Sequence, residues 1–353
     1  MSSLPYLHLA SYFTQYGVML TVVTNSLLTH LTIWHVKNIS SAYKCLIGIQ
    51  AILGILFAMT EVLVHPFLHS FNASYIFFSV VFASEEWMTL GTGLLGLYSW
   101  IYMNIICWLA IQFIYRYFLV VAPELLSYFC FRGWKVLTWL LYTLLFTALW
   151  VYSLVQMLPD TWTKWYLEEE IGKHYHADIT CLSSFHVVAY NPNGDLRYSA
   201  IQAIFGFSST IIFQYFVIIF CGIHIHTGIK NLRTKVSSRT QQLHAQLFKT
   251  LLLQITIPSV IYNSPVFFLY IVPFMNLTWS VPSGIMICVF SFYPAFDSLT
   301  LMWMVTDYNR SIRKIASDVF LWISEMLRSN DAGNDQGGRV RTRKSTTSLA
   351  NKV

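Results

Sequence analysis

Seven long apolar stretches without a lysine or an arginine constrain this chain more than any other feature. A helix needs about 20 apolar residues to cross a bilayer. Because backbone groups in lipid must be satisfied internally, we expect helices in all seven. The sequence therefore predicts an all-α membrane protein, a seven-transmembrane helix bundle. The predicted spans are Tyr12–Trp34, Leu46–Pro66, Thr92–Ile114, Val136–Leu158, Ala200–His224, Thr250–Phe274 and Pro282–Val305.

The orientation follows from the basic residues. Of the 22 lysines and arginines, only Lys164, Lys173 and Arg197 fall on the side that holds the N-terminus. Positively charged loops stay in the cytoplasm, so the N-terminus is predicted outside and the C-terminus inside. With 11% charged residues, against roughly 25% in soluble domains, the chain has too little polar surface for a soluble particle. The excess of positive charge is explained by the orientation of the chain in the membrane, so it does not predict nucleic-acid binding.

The predicted organisation has four parts. A short extracellular N-terminus, 1–11, precedes the seven-transmembrane domain, 12–305. Apolar residues spaced as i, i+3, i+4 and i+7 predict an amphipathic helix over 306–327 that lies against membrane lipid. The tail, 328–353, is polar and predicted to be disordered. The first 30 residues contain neither a basic n-region nor a cleavage site, so no cleaved signal peptide is predicted.

The tail carries a cluster of hydroxyl side chains beside basic residues. One interpretation is a solvated basic tail that attracts anionic lipid. The other is a phosphorylation cluster that recruits a regulator, for which an arrestin or a receptor kinase would be the partner. The candidate residues are Ser345, Thr346, Thr347 and Ser348.

Two carboxylates fall inside the predicted spans, where ionisable groups are costly and usually paired or functional. Glu61 is expected near the outer end of the second span, one helical turn from His65. The two could pair with each other, or they could form a polar wall of an outward-facing pocket. Asp297 is expected in the inner half of the seventh span, and Pro294 should kink the helix beside it.

Prolines are concentrated in the sixth and seventh spans. Pro258 and Pro265 interrupt the sixth, and Tyr293 precedes Pro294 in the seventh. A single proline would be unremarkable in a membrane helix. Several of them, in helices expected to move, favour a conformational hinge.

The third span can be traced by helical periodicity. If Arg116 faces the bundle, so do Gln112, Leu109, Ile105, Tyr102 and Tyr98. Tyr98 and Tyr102 would then lie in the outer half of the bundle. A mostly apolar pocket with a few polar groups is typical of small-molecule sites, although plain aromatic packing explains each residue as well. The predicted pocket residues are Glu61, His65, Tyr98, Tyr102, Tyr262 and Phe267.

The predicted outer loops carry candidate modification and metal residues. Asn72 and Asn276 stand in sequons that face outward and are glycosylation candidates. Cys181 is the only cysteine in a predicted outer loop, and the third span has no cysteine near its outer end that could pair with it, so Cys181 is expected to be unpaired. His174 and His176 could belong to a metal site, but a solvated polar loop is favoured because no further ligand stands at a recognisable spacing. No metal or other cofactor is predicted.

Several longer motifs resemble the Str family of nematode seven-transmembrane chemoreceptors, which are G-protein-coupled receptors. The core motifs are FIYRYF (113–118), QLFKTLLLQITIP (246–258) and FYPAFDSL (292–299). Supporting matches are HPFLHSFNASY (65–75), YNPNGDLRY (190–198) and IYNSPVFFLYIVPF (261–274). The second of these supporting stretches also predicts a turn, since Asn-Pro and Asn-Gly are strong turn formers.

The resemblance implies a receptor at the plasma membrane, often in the cilium of a chemosensory neuron. Such a receptor would bind a small odorant or soluble cue and activate a heterotrimeric G protein. Two residues depart from the family pattern: Ser298 replaces a proline after Asp297, and Ser99 replaces a cysteine after Tyr98. The residues expected to act in switching and G-protein coupling are Tyr115, Arg116, Tyr117, Pro258, Pro265, Tyr293, Pro294 and Asp297.

Arg116 has two interpretations, a positively charged membrane anchor or a conformational switch. Tyr115 precedes it where many rhodopsin-like receptors have an acidic residue, so a switch would need a partner on a tyrosine face, a carbonyl or another helix. A transporter or channel for a small solute is the alternative function, although paired charges near the midplane are missing. No enzyme motif is present, and no catalytic residue is predicted.

Overall fold

The computed structural model describes residues 4–36, 39–126, 133–231, 237–260, 264–275, 277, 280–281 and 290–324. The strands are β1 (Phe67–Phe71), β2 (Ser74–Ser79), β3 (Ser183–Val188) and β4 (Ser280–Val281). The helices are α1 (Leu4–Trp34), α2 (Ser41–Val64), α3 (Met88–Val120), α4 (Pro123–Leu126), α5 (Val136–Val155), α6 (Thr161–Tyr175), α7 (Tyr198–Asn231), α8 (Ser238–Pro258), α9 (Ser264–Ile271), α10 (Tyr293–Met304) and α11 (306–324).

The predicted helical bundle is present. Within the described residues, five helices are long and apolar enough to cross a membrane, namely α1, α2, α3, α5 and α7. The sixth predicted span coincides with the end of α8 and with α9, and the seventh with α10. Both of these spans also include residues outside the described part of the chain. The first helix begins at Leu4, so residues 4–11 of the predicted extracellular segment 1–11 belong to α1.

Helix α3 lies at the centre of the bundle. It packs against α2, α5 and α7 and also contacts the sheet and α8, while α1 packs against α2 and α10. Two glycines allow unusually close packing between neighbouring helices. A Cβ on Gly54 would lie 2.9 Å from Pro294, and one on Gly206 would meet the hydroxyl of Ser153. A larger residue at either position would therefore push α2 from α10, or α7 from α5.

A small antiparallel sheet covers the end of the bundle that the charge distribution assigns to the outside. Its strand order is β3-β2-β1-β4, and Phe67 of β1 pairs with Phe78 of β2. The β1–β2 turn is formed with Asn72 at φ 46°, a left-handed conformation that asparagine tolerates. Asn72, the first glycosylation candidate, is half-buried there. Asn276, the second, lies outside the described residues.

The region between the fourth and fifth spans contains more structure than the polar loop favoured from sequence. It holds α6 and β3, and α6 covers the sheet through Leu167, Ile171 and Tyr175. A reciprocal capping box between Asp160 and Thr163 starts this helix. We refer to α6 and the four strands together as the outer cap. The outer cap was not predicted from the sequence because α6 is short and polar on its exposed side, and because the strands pair across large sequence separations.

The predicted turn at YNPNGDLRY is confirmed: the Gly194 amide donates to the Asn191 carbonyl at 2.9 Å, with Gly194 at φ 86°. Residues 306–324 are helical after α10. Cys181 is half-buried and forms no disulfide with any described residue. Ser345, Thr346, Thr347 and Ser348 lie outside the described residues, as does the predicted disordered tail.

Candidate functional site

Helix α3 carries side chains of two separate cavities, one at each end of the bundle. The stripe predicted from periodicity is present: Tyr98, Ile105, Leu109, Gln112 and Arg116 are buried, and Tyr102 is partly buried. Tyr98 and Tyr102 line a cavity beneath the outer cap. Arg116 lines a second cavity, 14 residues further along, at the inner end. One rigid element therefore links both cavities, since 14 helical residues span about 21 Å.

The outer cavity is an aromatic cage of about 90 Å³. The ring centroids of Trp150 and Phe207 lie 4.4 Å apart, and those of Phe207 and Tyr270 lie 5.7 Å apart. Tyr102 meets Phe290 edge to face at 6.0 Å. The lining comes from the cap, α3, α5 and the loop after it, α7, α9 and a residue three positions before α10: Leu68, His69, Ser70, Tyr75, Phe77, Tyr98, Ser99, Tyr102, Trp150, Leu154, Met157, Phe207, Tyr270 and Phe290.

Polar groups in this cavity are few, and most that the structure describes are already engaged. The Trp150 Nε1 donates to the Ser99 hydroxyl at 2.9 Å, and the Tyr75 hydroxyl lies 3.6 Å from the Met157 sulfur. Among the described lining residues there is no aspartate, glutamate, lysine or arginine. His69 is the ionisable exception besides tyrosine, and burial lowers the pKa of its imidazole, which favours the neutral form. The cavity therefore favours uncharged, mostly apolar molecules.

The outer cap forms the roof of this cavity, and hydrogen bonds hold its elements together. On β1, His69 contacts Glu170 of α6 at 3.1 Å through Nε2 and the Tyr175 hydroxyl at 3.0 Å through Nδ1. His174, one of the two candidate metal residues, contacts the same Glu170 oxygen at 3.2 Å. The other, His176, is the left-handed C-cap of α6. His176 therefore ends the helix, whereas His174 packs against the ring of His69 of β1, with the two ring centroids 5.5 Å apart.

The structure brings only part of the predicted pocket together. Tyr98 and Tyr102 line the outer cavity, whereas Glu61 and Phe267 lie outside it. His65 ends α2 with a left-handed backbone and lines a different cavity, of about 190 Å³, beside α1. The side chain of Phe267 on α9 is 41% exposed. Tyr262 lies outside the described residues.

Glu61 is buried between α1, α2 and the residues before α10. Its Oε1 accepts hydrogen bonds from the hydroxyl of Ser291 and, at 3.4 Å, from that of Thr14. His65 meets Glu61 through the backbone, its amide donating to the Glu61 carbonyl at 2.8 Å. The structure thus shows neither the Glu61–His65 side-chain pair nor a Glu61 wall of the aromatic cavity. Helical spacing placed the two residues on one face but could not identify α1 as the neighbour.

Arg116 lies against an aromatic ring at the start of α2. Its side chain is 2% exposed, and its guanidinium carbon is 4.2 Å from the centroid of the Tyr43 ring. Tyr115 reaches the same place, because its ring stacks on Tyr43 at 5.8 Å and its hydroxyl lies 2.8 Å from the Ser40 hydroxyl. Tyr117 points elsewhere, to Phe220 and His224 of α7. Arg116 and Tyr115 together therefore join α3 to the N-terminus of α2.

The inner cavity around Arg116, of about 570 Å³, is predominantly basic. Arg116, Arg239 and Arg310 line it together with a single carboxylate, Asp307, among the described residues. Gln246 closes one side by bonding α8 to α11: its Nε2 donates to the Thr306 hydroxyl at 2.6 Å, and its Oε1 accepts from the Thr306 amide at 3.3 Å. The opening could receive an acidic or helical segment of a partner protein.

Between the two cavities, a polar cluster joins α10 to α1, α2 and α8. The Ser298 hydroxyl donates to Asn25 Oδ1 at 2.6 Å, and Asn25 Nδ2 donates to the Pro294 carbonyl at 3.3 Å. Gln254 Nε2 lies 3.4 Å from the Asp297 carbonyl. The resemblance drawn from the sequence implies a proline at position 298, and the hydrogen bond of Ser298 to α1 is one that proline could not make.

The remaining predicted switch residues flank this cluster. Tyr293 and Pro294 form the first turn of α10, and both are buried. Pro258 is buried at the end of α8, directly before a short π-helical turn at 259–260. Pro265 lies in the first turn of α9. Proline thus stands where helices begin or end in this part of the structure.

Most of the chain is similar to known proteins. The model of the family described as "Serpentine type 7TM GPCR chemoreceptor Str" matches residues 10–313. The Caenorhabditis elegans protein "G-protein coupled receptor str-33" is 38% identical over 307 residues, which cover 85% of this chain and 89% of that protein. "Serpentine receptor class r-10" of Caenorhabditis briggsae is 26% identical over 306 residues, covering 84% and 87% of the two chains.

Proposed function

Since the chain belongs to the Str family of serpentine seven-transmembrane chemoreceptors, we propose that it binds a small uncharged odorant or soluble cue in its outer cavity and activates a heterotrimeric G protein. The observation that carries this proposal is the position of Tyr98, Tyr102 and Arg116 on one helix. An aromatic cavity under the cap and a basic cavity at the inner end are lined by the same α3.

The chemistry of the outer cavity supports a neutral and compact ligand. A charged molecule would have to lose its hydration without gaining an ionic partner, which is unfavourable in an apolar site. Aromatic rings provide contact area, while Ser99 and the tyrosine hydroxyls offer hydrogen bonds that fix orientation. The free space of about 90 Å³ favours a compound of few heavy atoms, or one that displaces Phe290 or the cap on binding.

The proposed mechanism is a shift between two arrangements of the bundle. A ligand that binds one arrangement better than the other increases its population. In the resting arrangement, Arg116 is held on Tyr43, and α10 is held on α1 through Asn25 and Ser298. Ligand contacts with Tyr102 and with Phe290, three residues before α10, would alter the packing of α3 against the start of α10. Movement of α8 and α10 at their prolines would then widen the inner cavity.

The inner cavity is the proposed G-protein contact. Its arginines favour an acidic partner, because complementary charge speeds association and fixes register. The family also makes the plasma membrane, and the cilium of a chemosensory neuron, the proposed location. An arrestin or a receptor kinase acting at Ser345 to Ser348 is the proposed regulator of the tail.

A compound panel with a G-protein readout tests this function. Cells that express the chain should respond to a subset of small neutral compounds, and Arg116→Ala should abolish the response while surface expression stays normal. Arg313→Ala, at an exposed arginine of α11, is the matched control and should respond like the wild type. A full response in Arg116→Ala would leave Arg116 as a membrane anchor. Uptake of the compound into sealed vesicles without any G-protein response would instead favour a transporter.

A further inference from the structure

Two hydrogen-bonded contacts join α7 to α8 and to the residue that follows α8, and the two helices are separated between these contacts. Near the middle of the bundle, the Tyr215 hydroxyl lies 2.6 Å from the Ser259 hydroxyl. At the inner end, Gln241 Nε2 donates to the Ile229 carbonyl at 3.1 Å. Between these two contacts the helices form a groove of about 550 Å³, which is distinct from the outer and inner cavities. We call it the α7–α8 groove.

The α7–α8 groove opens toward the hydrocarbon of the membrane. Its floor is formed by Ile218, Phe248 and Ile255, which belong to a buried apolar cluster with α3. Its rim includes Ile219 and Ile223, whose side chains are 57% and 62% exposed. Because this part of α7 crosses the membrane, the medium in contact with the rim is lipid. A hydrocarbon chain is the occupant that such a lining accepts.

The inner end of the α7–α8 groove is positively charged. His226 and Thr227 line it, and Lys230 follows His226 by one helical turn on α7. On α8, Lys249 precedes the groove residue Leu252 by three residues and is exposed. Neither helix contains an aspartate or a glutamate. An anionic headgroup at this level would therefore meet two lysines and no carboxylate from the two helices that form the groove.

We propose that the α7–α8 groove binds an anionic phospholipid of the inner leaflet. One acyl chain lies in the groove as far as the Tyr215–Ser259 contact, and the phosphate lies between Lys230 and Lys249. The lipid holds α7 and α8 apart in the arrangement that the structure shows. The site depends on the membrane orientation of the chain but not on the ligand or the G protein of the proposed function.

Photocrosslinking locates this lipid. The purified full-length chain is placed in phosphatidylcholine nanodiscs that contain a trace of phosphatidylserine with a diazirine on its acyl chain, and the labelled residues are mapped by mass spectrometry. A phosphatidylcholine probe with the same acyl chain is the reference. We expect labelling concentrated on the groove residues of α7 and α8, and stronger with the serine probe. Equal labelling by both probes, or labels spread evenly over α5 and α7, would overturn the proposal.

Two variants separate the charge of the site from its shape. A basic residue near a membrane contributes about 1 kcal/mol to binding an anionic lipid, so Lys249→Gln should lower the serine-to-choline labelling ratio about fivefold. Lys249→Arg should keep the ratio, and Lys44→Gln, a lysine near the inner end of α2, is the matched control.

Gly222→Leu tests the shape of the α7–α8 groove. Gly222 lies in the groove, and a Cβ there would be 3.8 Å from Phe113, an ordinary van der Waals contact, so the first atom of a larger side chain causes no clash with α3. Filling the groove in this way should reduce labelling by both probes. If labelling of α7 and α8 is unchanged in Gly222→Leu, no lipid occupies the groove.

Discussion

At the scale of single residues, the position of Arg116 is explained by an aromatic partner. Many positively charged residues at the inner end of a span extend into the headgroup region. Arg116 instead is 2% exposed and lies over the Tyr43 ring. Such a cation–π contact contributes about 0.5–2 kcal/mol when it is desolvated. That free energy is large enough to bias two arrangements of the bundle about twofold to thirtyfold, so the contact with Tyr43 is sufficient for the proposed switch role of Arg116.

A pair of substitutions at Tyr43 tests this contact. Tyr43→Leu removes the ring, so the resting arrangement should lose up to about 2 kcal/mol and ligand-independent G-protein signalling should rise several-fold. Tyr43→Phe keeps the ring face and is the matched control, with basal signalling near the wild type. The measurement is basal activity normalised to surface expression. Equal basal activity in both variants would show that the ring does not restrain Arg116.

At the scale of elements, the outer cap is held by buried histidines as well as by apolar contacts. His186 of β3 is 3% exposed, and its ring nitrogens lie 2.8 Å from the Ser184 hydroxyl and 3.2 Å from the Thr163 hydroxyl. Burial lowers the pKa of His186 to about 3; the nearby positive charges of Lys164 and Arg197 lower it further, and the negative charge of Asp160 raises it. Because the folded cap holds this histidine neutral, protonation favours states in which β3 has left the sheet.

The stability of the cap should therefore fall in acid. Above pH 6.5 His186 is neutral in both the folded and the unfolded chain, whereas below it only the unfolded chain takes up the proton. At pH 5 this difference corresponds to about 2 kcal/mol. His186→Asn should reduce the decrease in apparent Tm between pH 7.5 and pH 5.

The comparison needs an exposed histidine as its control. His35→Asn, at the inner end of α1, should leave the pH dependence as in the wild type. Some dependence should persist in His186→Asn, because burial also lowers the pKa of His69. An apparent Tm that falls equally in His186→Asn and in the wild type would contradict this account of the cap.

At the scale of the whole molecule, five of the seven predicted spans are confirmed in the described residues, as is the central stripe of α3, but the partners of the residues on that stripe could not be predicted. Hydropathy determines which segments cross a membrane, and helical periodicity determines which side chains share a face. Neither indicates that α1 meets Glu61 or that the start of α2 meets Arg116. The strands of the cap were missed for a related reason: β2 pairs with β3 more than 100 residues away, and short strands resemble loops in sequence.

The arrangement of the described helices also determines how the outer and inner ends of the bundle can be coupled. The outer cavity and the Arg116 cavity share α3, while α10 is bonded to α1 and α8 between them. A change of packing at one end can therefore alter the population of arrangements at the other. By linkage, any effect of ligand on G-protein binding must be matched by an equal effect of G protein on ligand binding.

The most direct measurement is the affinity of an activating compound for the purified chain in nanodiscs, with and without the G protein. Coupling of the usual size, about 1–3 kcal/mol, predicts that the G protein lowers the ligand Kd roughly fivefold to 150-fold. In Arg116→Ala the two Kd values should be nearly equal. A ligand Kd that the G protein leaves unchanged in the wild type would contradict a two-state receptor whose outer and inner cavities are coupled.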